Sequence, residues 1–104
     1  MADSALDRTL HAVADPTRRR ILQALKERDA CSIRSGDRAT TQSVGLCAGD
    51  IEDRIHLSQP TISHHMSILT RAGLVEAARH GQWRWYRRNE PAIRKLLKAL
   101  RSNL

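Results

Sequence analysis

Two sets of residues in this 104-residue chain could do chemistry. The first is the run Ser63, His64 and His65, a hydroxyl beside two imidazoles. It does not make a nucleophilic triad, because neighbouring helical residues point about 100° apart. No carboxylate is placed to orient either ring. An enzyme is therefore not expected. The second set is the thiol pair Cys31 and Cys47. Thiolates select soft ions such as arsenite, As(III), or antimonite, Sb(III), over harder metals. Arsenite prefers three thiolates, so a third would come from a second protomer or a small thiol. The same pair could instead close a disulfide under oxidant, which needs at least one exposed thiol of low pKa; Arg34 and Arg54 are the cations available to stabilise it. The plainest reading makes Cys47 a buried apolar residue and Cys31 an incidental loop thiol.

The elements that must hold these residues follow from periodicity and capping. Leu6, Leu10 and Val13 recur at i, i+4 and i+7, a short amphipathic helix. Asp15 and Pro16 open a second helix, whose inner face is Ile21, Leu22 and Leu25. Arg18, Arg19 and Arg20 read as its solvated outer face. From about Asp29 to Val44 the chain is polar and lacks periodicity, an inserted loop at about 29–44, with a possible short strand at its end. "AGDIEDRI" is a brief helix with Ile51 and Ile55 inward, and His56-Leu57 is the turn after it. Ser58 caps the next helix, which runs from Gln59 to about Ala72 and stops at Gly73. "LVEAARHGQWRWYRR" is a β-hairpin turning at His80-Gly81, with Trp83 and Trp85 as its hydrophobic underside. Ile93, Leu96, Leu97, Leu100 and Leu104 then stripe a closing helix. The fold class is mostly α with a small β-hairpin wing, in a single domain of residues 1–104.

Projected as a helix, Met66 and Leu69 fall within about 40° of Ile62 and define the buried side. His65 lies beside that side and reads as a packing residue. Opposite stand Pro60, Ser63, His64, Ser67 and Arg71, a face of small hydroxyls, an imidazole and a guanidinium. A generic solvated helix would carry Glu and Lys there; this face suits close approach to an anion. A short helix, a tight turn and a second helix with such a face is the helix-turn-helix arrangement, whose second helix enters the major groove of double-stranded DNA. Gln59 can read adenine, while Ser58, Thr61, Ser63, His64 and Ser67 can bond bases or phosphate oxygens. Arg79, His80, Gln82 and Arg84 crown the hairpin, where a wing can reach the adjacent backbone.

The charge balance agrees with that partner. Eighteen Lys and Arg face eleven Asp and Glu, a net charge of +7. Such an excess favours an anionic partner without speaking to fold. From Arg79 to Arg101 the basic residues are offset by Glu90 alone. No apolar run approaches the roughly 20 residues that span a bilayer, so no membrane role is expected. The N terminus "MADSALDRTL" has no apolar signal core, and the expected compartment is the cytoplasm.

"ADPTRRRILQAL", "LSQPTISHHMSILTRAGLV" and "GQWRWYR", in that order, resemble the ArsR/SmtB family of bacterial repressors. The resemblance implies a winged helix-turn-helix homodimer that represses a small operon and is released by an inducer. It also implies that Gln59, Ser63 and His64 face DNA. The first and last helices would then form the dimer interface, through Leu6, Leu10, Val13, Ile93, Leu96, Leu97 and Leu100. Many members carry "ELCVCDL" where this chain has "GLCAGDI": Cys47 matches the first thiol, and Gly49 replaces the second. The other common metal site of the family, acids and histidines on the closing helix, has no counterpart, since neither Asp nor His follows Pro91.

Overall fold

Asp15 and Pro16 open the second helix where capping chemistry places it: the Asp15 carboxylate accepts from the Arg18 backbone N–H at 3.1 Å. That bond holds the Asp15 carboxyl below its ordinary range. The computed structural model describes residues 4–35, 46–80 and 83–104. Their order is α1 (Ser4–Val13), α2 (Pro16–Ser35), β1 (Leu46–Cys47), α3 (Ala48–Ile55), α4 (Gln59–Arg71), β2 (Val75–His80), β3 (Trp83–Arg88) and α5 (Glu90–Asn103). Among the described residues no helix is long and apolar enough to cross a membrane.

The loop expected from Asp29 starts later, because α2 continues to Ser35. Nothing between Lys26 and Ser35 is Pro or Gly, and extending a helix adds one hydrogen bond per residue fixed. Residues 36–45, the remainder of that expected insertion, lie outside the described residues. Cys31 falls on α2, with its side chain outside the description.

The three strands form one antiparallel sheet in the order β1-β3-β2. Leu46 and Cys47 pair with Tyr86 and Trp85, and the hairpin ladder runs from Val75↔Arg88 to His80↔Trp83. His80 is thus a strand residue rather than a turn residue. The aromatic face is also inverted relative to expectation. Tyr86 is buried at 6% exposure, and strand alternation puts Trp85 on the other face, where it is half-buried. The tryptophan face is not the underside, because the inward position at the centre of β3 is taken by Tyr86; the Trp83 side chain lies outside the description.

Helix α4 ends as Gly73 requires. Gly73 adopts φ +80°, its N–H bonds Thr70 O at 3.0 Å, and Leu74 N–H bonds Leu69 O at 3.1 Å. This is the Schellman arrangement, and Leu69 and Leu74, both fully buried, supply its apolar contact. The turn between α3 and α4 uses His56 in the left-handed region, φ 62°, with its N–H on Glu52 O at 2.8 Å. Ala12, Ile21, Leu25, Leu46, Ile51, Ile62, Met66, Leu69, Leu74 and Val75 fill the core between helices and sheet.

Arg88 locks the sheet to the helices. Its Nε donates to Glu90 at 2.7 Å and its Nη1 to Leu22 O at 3.1 Å. The side chain joins wing, α2 and the first turn of α5, so the wing is anchored at its base. Asn89 continues the joint: it accepts from Ala92 N–H as the cap of α5 and donates to Gly73 O at 3.0 Å.

Candidate nucleic-acid interface

What α4 buries decides what it shows. Ile62, Met66 and Leu69 are at most 1% exposed, and they turn Gln59, Pro60, Thr61, Ser63, His64 and Arg71 outward, with Ser67 half-buried. The helix contains no carboxylate. Ser58 stands at the N-cap with extended backbone, but its hydroxyl lies 3.0 Å from the Thr61 hydroxyl and makes no capping bond. Pro60 at the second helical position removes one of the two N–H groups a cap can take, and the Ser58 hydroxyl pairs with the Thr61 hydroxyl rather than with the other. The first turn of α4 is therefore uncapped by any side chain.

The wing stands beside this helix. Gln59, Ile62, Ser63 and Met66 of α4 line a cleft of about 150 Å³ with Ala48, Arg84 and Tyr86. Arg84 thus shares one opening with Gln59 and Ser63. Charge pairing differs between the two ends of the hairpin. Near the base, Glu76 pairs with Arg87, at 3.3 Å. Near the tip, Arg79 sits directly opposite Arg84, both exposed, and like charges in that position destabilise a ladder. An anion placed between them would relieve the repulsion. The side chain of His80 and the whole of Gln82, both expected at this tip, lie outside the described residues.

Arg18 corrects the reading of its triplet as an outer face. Arg19 and Arg20 are exposed, but Arg18 is only 7% exposed. Its Nε donates to Ala12 O at 2.6 Å and its Nη2 to His11 O at 3.2 Å, while Nη1 lies 3.1 Å from His65 Nδ1. The signal was present in the chain: Arg18, Ile21, Leu22 and Leu25 recur at i, i+3, i+4 and i+7, so Arg18 belongs to the inner stripe. His65 is half-buried, consistent with a packing position, and has a specific polar partner besides.

Cys47 is half-buried at the start of α3 and donates to the Asp50 carboxylate at 3.2 Å. Burial pushes its thiol pKa up, and the negative charge of Asp50 acts in the same direction. The expected low-pKa thiol is therefore not Cys47. A Cβ at Gly49 would lie 4.0 Å from Cys47 Sγ, so the position from which a second thiol could join Cys47 is held by a glycine. Among the described residues no group of three or more His, Cys, Asp or Glu could hold a metal ion.

On the outer helices, Leu6, Leu10, Val13, Ile93 and Leu100 are half-buried against the core. Leu96 turns into its own protomer at 7% exposure, whereas Leu97 is 59% exposed and Leu104 fully so.

The comparisons with known proteins agree with this geometry. A family model described as bacterial regulatory protein, arsR family, matches residues 42–77. The chain is 36% identical over 93 residues to the uncharacterized HTH-type transcriptional regulator YbzH of Bacillus subtilis, covering 89% of this chain and 92% of that one. It is 34% identical to the transcriptional repressor SdpR of the same organism, covering 85% of this chain and 80% of SdpR. A solved structure of a possible transcriptional regulator for arsenical resistance superposes with a TM-score of 0.69 at 27% identity, covering 91% of this chain and 82% of that one.

Proposed function

The chain belongs to the arsR family of bacterial regulatory proteins, and from that premise we propose that it is a homodimeric repressor that reads a DNA operator with α4 and grips its backbone with the β2–β3 wing. The observation that carries this reading is the carboxylate-free outer face of α4 opening onto the same cleft as Arg84. Gln59, Ser63 and His64 approach base edges, while Ser58, Thr61, Ser67 and Arg71 flank them. Arg79 and Arg84 take a phosphate between them, and His80 and Gln82, which fall between the two arginines in the sequence, are proposed as further DNA contacts. The protein works as a single winged helix-turn-helix domain without enzymatic activity. The outward Leu97 of α5, with half-buried Ile93 and Leu100 on the same helix and Leu6, Leu10 and Val13 on α1, supports pairing through α1 and α5; Leu96 is buried in its own protomer. A dimer of this kind engages half-sites about 34 Å apart, or a multiple of that.

The test begins with a duplex selected from a random pool by the purified protein. Arg84→Ala should weaken binding to the selected and to unrelated duplexes alike, and should lower the slope of log affinity against log salt by about one. An unchanged salt slope would remove the wing from the interface.

Release is the second part of the reading. Arsenite or antimonite held by Cys31 and Cys47 thiolates is favoured by similarity to the arsenical-resistance regulator. Against ready capture stands the Cys47 thiol, kept protonated by burial and Asp50; a metalloid would have to displace that proton. The same raised pKa weighs against a Cys31–Cys47 disulfide switch. Mass spectrometry of arsenite-treated protein should show stoichiometric arsenic that both Cys31→Ser and Cys47→Ser abolish. Arsenic retained in either variant would reject the shared site, and a two-proton mass loss under peroxide would favour the disulfide instead.

A further inference from the structure

Among the described residues Arg18 is the charged side chain that the core encloses, and its position ties three helices together. It rises from the first turn of α2, donates to the carbonyls of His11 and Ala12 at the end of α1, and reaches His65 in the middle of α4. A guanidinium has no acceptor, so His65 Nδ1 must accept in this contact. The imidazole is then neutral with its proton on Nε2. Protonation would turn Nδ1 into a donor facing a donor and set two cations about 3 Å apart.

We propose that Arg18 and His65 are a positioning pair for the reading helix, in which the neutral imidazole ties α4 to the end of α1 and its protonation releases that tie. The inference rests on the DNA-reading role of α4 set out above. His65 lies three residues from Ile62 and four from Leu69, directly after His64 and two residues after Ser63 on the same helix. A change in how it seats on Arg18 must therefore turn the outer face that Gln59, Ser63 and His64 occupy. The dimer-side helix α1 enters the same linkage through its two carbonyls, so the reading face is referenced to the element proposed to carry the partner protomer.

The charged groups around His65 favour this behaviour. Burial is the main influence lowering its pKa, the Arg18 and His64 charges act in the same direction, and Asp15 at the α1–α2 junction opposes them. From α1 it is backbone oxygens, not side-chain charges, that reach the pair. The His64 ring lies 5.7 Å from that of His65, but it points outward. A depressed folded pKa means that the unfolded chain binds more protons below the ordinary histidine range. The stabilising contribution is then complete above that range and is lost as pH falls through the folded midpoint. Operator binding needs the tied geometry, so it lowers the pKa of His65.

Histidine ring NMR of the wild-type protein, free and bound to the selected duplex, tests the proposal directly. The His65 midpoint should fall on binding; a His65 midpoint that rises overturns the pair. In a His64→Ala background, the ratio of operator to random-duplex affinity should drop severalfold as pH falls from about 7.5 to about 5.5. Adding His65→Asn should flatten that profile, because the amide oxygen accepts from Arg18 without titrating. The same slope in the Asn variant also overturns the pair. Should selection yield no preferred duplex, the DNA-reading role fails by itself and the free protein still decides the pair. There the Arg18 Nε–H signal, bonded to Ala12, should shift with the His65 midpoint. An Arg18 signal indifferent to that titration ends the proposal.

Discussion

Ser63→Asp is expected to cut affinity for the selected duplex by about a hundredfold or more, because like charges brought together across an interface cost several kcal/mol. Ser63 is exposed, lines the cleft beside Gln59 and Arg84, and lies on a helix that has no carboxylate of its own. The fold should not suffer. An acidic residue near the positive end of a helix is neutral to slightly favourable, and the Ser63 side chain has no part in the core. Fluorescence anisotropy and a thermal melt on the same sample separate the two effects. Retained affinity would mean that some other surface meets the nucleic acid, and a lowered melting temperature would mean that Ser63 packs inside.

The largest stability effect is expected at the opposite side of the same helix. Leu69→Ala should destabilise the protein by about 2–5 kcal/mol, the range for a large-to-small change in a packed core. Leu69 is fully buried, its carbonyl accepts from Leu74 N–H at 3.1 Å, and Leu74 is fully buried with it. Losing the side chain therefore removes core volume and the apolar contact of the helix stop together. Small domains have about 5–15 kcal/mol in total, so this variant stands near unfolding at ambient temperature. Urea denaturation gives the value from the shift in midpoint. A change below about 1 kcal/mol would show that the neighbouring side chains refill the site.

These variants share one helix, and its two faces were both legible in the chain. Ile62, Met66 and Leu69 recur at helical spacing, and the exclusion of acids from the remaining positions is a matter of composition. The stop at Gly73 was legible for the same kind of reason: a left-handed residue costs a side chain about 1–2 kcal/mol, so glycine marks the place. Ser58 is the instructive failure. The residue type and position were those of a cap, yet Pro60 removes one of the two candidate donors and the Ser58 hydroxyl pairs with the Thr61 hydroxyl instead. The helix boundary survives without the bond because burial of its inner face, not the cap, supplies most of its stability.

Arg88 and Arg18 mark a different limit. Each lies in a run of basic residues that reads as surface charge, and each finds one acceptor on a segment remote in sequence: Leu22 O for Arg88 and His65 for Arg18. Periodicity placed Arg18 on the inner stripe, but periodicity does not say that carbonyls wait there. Burying a guanidinium is costly unless its donors are met, and whether they are met depends on how α1 ends over α2.

The chain alone determined the helices with the apolar face of each, the existence of the hairpin and the basic excess, since these depend on spacings within a few residues and on side-chain type. Tertiary structure decided which aromatic of β3 faces inward, which arginine is enclosed, what Cys47 meets, and how the wing and α4 come to share one cleft. Each of these is a contact between segments distant in sequence, where competing local choices are equally good and only the packing of the whole core selects among them.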